Sequence, residues 1–197
     1  MNKKIVFIFA IICIIVFLIF YYIFYISGNN IIRNKKELIE NVLKTFECYE
    51  ANIDVKIVSN KNENTYNMHQ MVENDESKII VNSPESVKGL EIKLKDGNLK
   101  ITNEKTNMQK IYENYKSVIN NSLFLNNFIK DYKTNESEII ENEQEIIVKI
   151  NLKNDNTYIK TKELYINKET KLPTKLLIKD DAQKINTSII YNDIKIK

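Results

Sequence analysis

Residues Ile5 to Ile26 read IVFIFAIICIIVFLIFYYIFYI, with no charge, no glycine and no proline. No other stretch narrows the folding options so far. In helical form about 22 residues reach roughly 33 Å, enough to cross a bilayer's hydrocarbon core with some tilt. A removable secretory signal has an apolar region of only about 7–15 residues, followed by a small-residue cleavage site. Here the first small pair, Ser27-Gly28, comes after the full length of the run. Tyr21, Tyr22 and Tyr25 gather at its far end, as an interfacial aromatic belt does. Cys13 follows Ile11-Ile12, whereas a lipidated cysteine follows a small residue. The reading is therefore an uncleaved signal-anchor over residues 1–28, carried by Ile5, Phe9, Phe17, Tyr21 and Tyr25, with a cleaved signal as the alternative. Lys3 and Lys4 on a very short leading tail resemble a signal n-region. Arg33, Lys35 and Lys36 stand across the run from them, so the Lys/Arg count alone does not set the orientation. The n-region-like tail predicts a single-pass membrane protein whose domain, residues 29–197, lies on the extracytoplasmic side.

After the run the hydrophobic period is 3.6 and then 2. Ile31/Ile32, Leu38/Ile39, Val42/Leu43 and Phe46 recur at three- and four-residue steps and predict a helix from Asn29 to Tyr49, with Asn30 as N-cap. From Tyr49 onward Ala51, Ile53, Val55 and Ile57 alternate with polar residues, the mark of a strand buried on one face. Tyr66, Met68, Gln70 and Val72 form one side of a second strand, continued by Ile79 and Val81. Leu90, Ile92 and Leu94 alternate up to Asp96-Gly97, a dipeptide that tolerates positive φ at both positions and predicts a tight hairpin returning through Leu99 and Ile101. A helical period then spans Asn107 to Lys133, with Val118, Phe124, Leu125, Phe128, Ile129 and Tyr132 on one face. It predicts one or two helices over Lys116 to Lys133. Strands follow at Ile146–Leu152, Leu164/Ile166, Leu176/Ile178, Ile189/Tyr191 and Ile194/Ile196. Pro173, lacking an N–H, suits the start of the strand after the polar corner Asn167–Lys171.

Most of these strands have one apolar face, which helices, a ligand or a partner must cover. The fold class is α+β: an N-terminal transmembrane helix, then a curved antiparallel sheet packed on two or three helices. Phe124, Leu125 and Phe128 are the candidate lining of the sheet's apolar face or cavity. If they fill it, a protein-binding role is favoured. A wide apolar cavity favours lipid.

Charge and motifs exclude several classes of function. The 29 Lys+Arg against 26 Asp+Glu leave a formal charge of +3, Arg33 is the only arginine, and a nearly neutral domain lacks the footprint of a nucleic-acid binder. Two cysteines, one of them inside the apolar run, build neither a disulfide framework nor a cysteine zinc site. His69, the only histidine, sits in an alternating strand with no nucleophile or orienting acid indicated by the sequence. Glu141-Asn142-Glu143 and Asp180-Asp181 fall in turns, where neighbouring acids are solvated. No nucleophile elbow, P-loop, zinc-protease or dinucleotide motif appears. No catalytic, cofactor-binding or metal-binding residue is assigned, and the chain reads as a non-enzyme.

The stretches YEANIDVKIVSNKNENTYNMHQMV, NSPESVKGLEIKLKDGNLKITN, SLFLNNFIKDY and YINKETKLPTKLLIKD, in that order over Tyr49 to Lys197, resemble the clostridial germination lipoproteins of the GerS type. These share the fold of the lipoprotein carrier LolA. The resemblance implies a half-barrel of antiparallel strands over a few helices. It also implies a spore-envelope role in sporulation and germination, as a non-catalytic partner of a cortex peptidoglycan N-acetylmuramoyl-alanine amidase. The departure is the anchor, since a transmembrane helix stands where those proteins carry a lipid. A tethered lipid or lipoprotein carrier or acceptor with an apolar cavity is the alternative. A sheet with an exposed edge also leaves room for a homodimer.

Overall fold

The computed structural model describes residues 16–22, 33–59, 61–74, 76–115, 122–154 and 156–197. The chain divides into two compact units, Met1–Asn41 and Val42–Lys197. In the first, residues 16–22 are helical with exposed side chains, Phe17 and Tyr21 among them. The other residues chosen for the anchor, Ile5, Phe9 and Tyr25, lie outside the described residues. Among the described residues no helix is long and apolar enough to cross a membrane.

Helix α1 (33–45) begins in the first unit and ends in the second. Its expected cap, Asn30, lies outside the described residues. The helix stops short of the expected end at Tyr49 because its last turn tightens. Phe46 N–H donates to Leu43 O, Glu47 N–H donates to Lys44 O, and the Thr45 hydroxyl donates to Val42 O. Val42, Leu43 and Phe46 are buried, as the stripe requires.

The second unit is built on one eleven-stranded sheet. Its strands are β1 (Tyr49–Val58), β2 (Glu63–Glu73), β3 (Glu76–Ser83), β4 (Leu90–Lys95), β5 (Asn98–Asn103) and β6 (Met108–Tyr112), then β7 (Glu136–Glu141), β8 (Glu145–Asn151), β9 (Thr161–Asn167), β10 (Pro173–Lys179) and β11 (Ile185–Ile196). The order is β6-β5-β4-β3-β2-β1-β11-β10-β9-β8-β7, and every neighbouring pair is antiparallel. Two meanders thus meet where β1 pairs with β11, leaving β6 and β7 as the free edges. Register shifts between Asn52 and Ile53, Asn67 and Met68, and Ile178 and Lys179 add local bends to the twist, and the sheet curves.

One row of side chains explains the inner face. Ala51, Ile53 and Val55 of β1 stand opposite Gln70, Met68 and Tyr66 of β2, and opposite Ile194, Tyr191 and Ile189 of β11. Leu176, Leu164 and Val148 extend the row through β10, β9 and β8. The hairpin at Asp96-Gly97 forms as its sequence predicts, with φ of 51° and 75°. Pro173 opens β10, where its missing N–H costs no ladder bond.

Three elements differ from the sequence reading. Met108–Tyr112 is strand β6, although the helical period begins at Asn107. Met108, Ile111 and Tyr112 are spaced i, i+3, i+4, which imitates a helix face, and five residues of an edge strand carry too little alternation to oppose that signal. β7 has no counterpart in the sequence reading, because ESEIIE offers three acids and two adjacent isoleucines in place of alternation. The two short C-terminal strands are one long β11, interrupted by the register shift that leaves Asn192 between Tyr191 and Asp193. Val118 and residues 116–121, where the sequence predicts a first helix, lie outside the described residues.

Candidate functional site: the covered inner face

Helix α2 (Leu125–Thr134) lies against the inner face. Its apolar side chains Leu125, Phe128, Ile129 and Tyr132 are buried, as is Phe124 immediately before it. The three residues chosen as face or cavity lining therefore sit in the core. Towards β4 and β5 the cover thins. Leu90, Ile92, Leu94 and Ile101 are only half-buried, and Met108 and Tyr112 of β6 are exposed.

Three polar ties hold α2 to the strands of the sheet among the described residues. Phe124 supplies no side-chain cap for the helix. The Tyr49 hydroxyl does this work instead, accepting Leu125 N–H at 3.2 Å and donating to Gln70 Oε1 at 3.0 Å. Gln70 Nε2 donates to Leu123 O at 3.0 Å, so a wholly buried amide is satisfied on both sides. Burial raises the Tyr49 pKa despite the Leu125 contact. The second tie joins Asn126 Nδ2 to Ser77 Oγ at 3.1 Å. The third is an ion pair: Lys162 Nζ, on the inner row of β9, donates to Asp131 Oδ2 at 2.6 Å. The Lys162 side chain is 1% exposed and that of Asp131 is 25% exposed. Burial pulls the Lys162 pKa below its ordinary value, while Asp131 pulls it back up.

The sequence assigns none of these ties, although two have a signal in it. Gln70 and Lys162 are polar residues standing in otherwise apolar rows. A buried polar side chain in such a row demands a partner. The partners lie 53 and 31 residues away, and spacing alone cannot name them.

The remaining candidates are structural in their surroundings. His69 lies on the outer face of β2, with Nδ1 2.9 Å from Asn52 Oδ1 and Nε2 3.2 Å from Glu50 Oε1, both on β1. It ties two strands. Asn142 and Asp180 accept backbone N–H groups from Gln144 and Glu145 and from Lys184, which makes both acidic stretches ordinary turns. Cys48 is a free, half-buried thiol in the bend before β1. Among the described residues no group of three or more His, Cys, Asp or Glu is placed to hold a metal ion.

The outer face is polar and laced with ion pairs. Glu163 is buried on it, 2.6 Å from Lys179 Nζ, and accepts the Tyr165 hydroxyl at 3.2 Å, while Lys175 Nζ stands 4.0 Å above the Tyr165 ring. An open cleft of about 620 Å³ runs over the outer side of β3 to β6, past Ile80, Glu91, Lys100 and Gln109.

Comparison with known proteins extends this description. The family model described as sporulation protein YdcC-like matches residues 3–197. No curated protein matches the sequence significantly. Among solved structures, the chain is similar to the GerS lipoprotein from the structure of the Clostridioides difficile CwlD amidase in complex with GerS. The identity is 22% and the TM-score 0.55, covering 86% of this chain and 95% of that one. An uncharacterized conserved protein from Thermus thermophilus matches at 12% identity and TM-score 0.54, covering 83% of this chain and 88% of that one. At such identities the likeness establishes a shared fold. A LolA superfamily protein from Nitrosomonas europaea matches more loosely, at 12% identity and TM-score 0.44, covering 80% and 92%.

Proposed function

The chain belongs to the family of YdcC-like sporulation proteins, and from that premise we propose that it is a non-catalytic, membrane-anchored protein of the spore envelope that binds and supports a cortex-modifying N-acetylmuramoyl-alanine amidase. The observation that carries this reading is the fold shared with a lipoprotein solved in complex with an amidase. The covered inner face supports it. With Phe124, Leu125 and Phe128 buried beneath α2, the centre of the sheet is occupied by the protein's own side chains. What is left for function is surface, and surface acts by contact.

In this account Ile5 to Ile26 spans the membrane once and holds residues 29–197 on its extracytoplasmic face. The anchor replaces the lipid of the GerS-type proteins and keeps the binding domain where cortex is made. Protease added to intact protoplasts should then digest the domain. Its protection would contradict this orientation.

The binding reading is tested by recovering the tagged full-length chain from solubilised membranes of sporulating cells. It predicts the cortex amidase among the specifically retained proteins, and altered cortex when the gene is deleted. A normal cortex, with no amidase retained, contradicts it. The alternative, a tethered lipid or lipoprotein carrier or acceptor, draws on the half-covered apolar residues Ile92, Leu94 and Ile101 near β6. It predicts acyl lipid extracted with the purified protein.

A further inference from the structure

The two free edges of the sheet are built differently. β7 carries Glu136, Glu138 and Glu141, and Lys153 and Lys168 pair with the first and last of these. Charges on an edge deter pairing with another strand. β6 carries a single charge, Lys110, with no acid, no proline and no bulge, and all five of its residues are exposed, Ile111 by 53%. Among the described residues no strand pairs with its outward side.

Beside this edge, lysines stand directly opposite one another. The register runs Lys78–Lys93–Lys100–Ile111 across β3, β4, β5 and β6 on the outer face. Like charges directly opposite destabilise a sheet. Two are compensated, Lys78 by Glu91 at 2.8 Å and Lys93 by Glu76 at 2.7 Å. Lys100, the row's member nearest the edge, is in no ion pair among the described residues, and it lines a concavity with Lys93, Lys95, Asp96, Asn98 and Ile111, three lysines against one acid.

We infer that β6 is the docking edge for the protein partner, which adds an extended segment carrying acidic and apolar side chains to the sheet. A strand added to β6 lies about 10 Å from β5, a gap that a lysine and a glutamate side chain reach across together. Acidic side chains on its outer side meet Lys100, and an apolar one covers Ile111. Charge complementarity selects this occupant over a second copy paired β6 to β6, which would bring two sets of Lys100 and Lys110 together. The inference rests on the proposed binding role and names the surface that performs it.

The test titrates the full-length chain in detergent with the purified cortex amidase of the same organism, comparing Lys100→Glu, Ile111→Lys and, at the other edge, Ile140→Lys. Lys100→Glu relieves the clash with Lys93, so its thermal midpoint should hold or rise. Expected are at least tenfold weaker binding for Lys100→Glu and for Ile111→Lys, unchanged binding for Ile140→Lys, and slowed amide exchange at Met108–Tyr112 in the wild-type complex. A complex that forms and tolerates both β6 substitutions overturns this inference alone. No complex with the wild type overturns the amidase reading as well. If the substitutions abolish only self-association, or only binding to phosphatidylglycerol vesicles, the edge belongs to a second copy or to the membrane, and the inference fails.

Discussion

The hydroxyl of Tyr49 accepts the backbone N–H of Leu125 at 3.2 Å, joining the first strand to the start of the helix that covers the sheet, 76 residues later. Tyr191, its neighbour on the inner face, is also buried, yet its hydroxyl has no hydrogen-bond partner among the described residues. Burial raises the pKa of both phenols. The same substitution should therefore act oppositely at the two sites. Tyr49→Phe strands Gln70 Oε1 and the Leu125 N–H and should cost about 1–3 kcal/mol. Tyr191→Phe removes a desolvated hydroxyl that bonds to nothing and should be neutral or stabilising by up to about 1 kcal/mol. Urea denaturation of both variants measures the difference.

The Lys162–Asp131 pair should respond asymmetrically. Asp131→Ala leaves an almost fully buried ammonium without its counter-charge and should destabilise by about 3 kcal/mol or more. Lys162→Met leaves a carboxylate with access to water and should cost less than about 1 kcal/mol, or stabilise. The lysine also gives a pH signature. Its folded-state pKa is depressed while the unfolded chain holds the proton to about pH 10.4, so within that window the unfolded state binds more protons and stability rises with pH. Tyr49 and Tyr191 act the other way above about pH 10, but they are common to both proteins. The stability of wild type relative to Lys162→Met should climb through the alkaline range, and a flat difference would remove the pair from this role.

Phe128 is fully buried beneath α2. Phe128→Ala should lose about 3–5 kcal/mol through the cavity it leaves. On the protein-binding reading the wild type does not take up a fluorescent fatty acid, while the cavity variant gains that ability if it remains folded. Uptake by the wild type at comparable affinity would favour the carrier reading.

Gly97 holds φ at +75°, and a Cβ placed there meets nothing within 4 Å. Gly97→Ala should therefore cost about 1 kcal/mol from the backbone alone, readable as a lower thermal midpoint with no change in binding.

The pattern of strands is legible wherever one face is buried against the core, because burial forces a period of two. β1, β2 and β8 to β10 follow from alternation, and the Asn167–Pro173 corner from turn chemistry. Asn167 Oδ1 accepts the Glu169 and Thr170 N–H groups, Lys171 turns the chain at φ 59°, and Pro173 begins the strand. Legibility fails at the edges. β6 and β7 bury too little to impose alternation, and in β6 the apolar spacing points to the wrong period. The interior polar ties are legible only in half: Gln70 and Lys162 break apolar rows, but Tyr49 and Asp131 reach them through folding. The lysine row is likewise invisible in sequence, where its members are scattered from 78 to 100 and only strand register aligns them.

Reconstitution with defined components tests the central claim most directly. Purified full-length chain is mixed with the purified cortex amidase, and their complex is followed by calorimetry beside assays of amidase action on cortex peptidoglycan. The account predicts a saturable complex, amidase activity that rises when the chain is present, and no turnover of peptidoglycan by the chain alone. Absence of a complex, or peptidoglycan cleavage by the chain unaided, would contradict it.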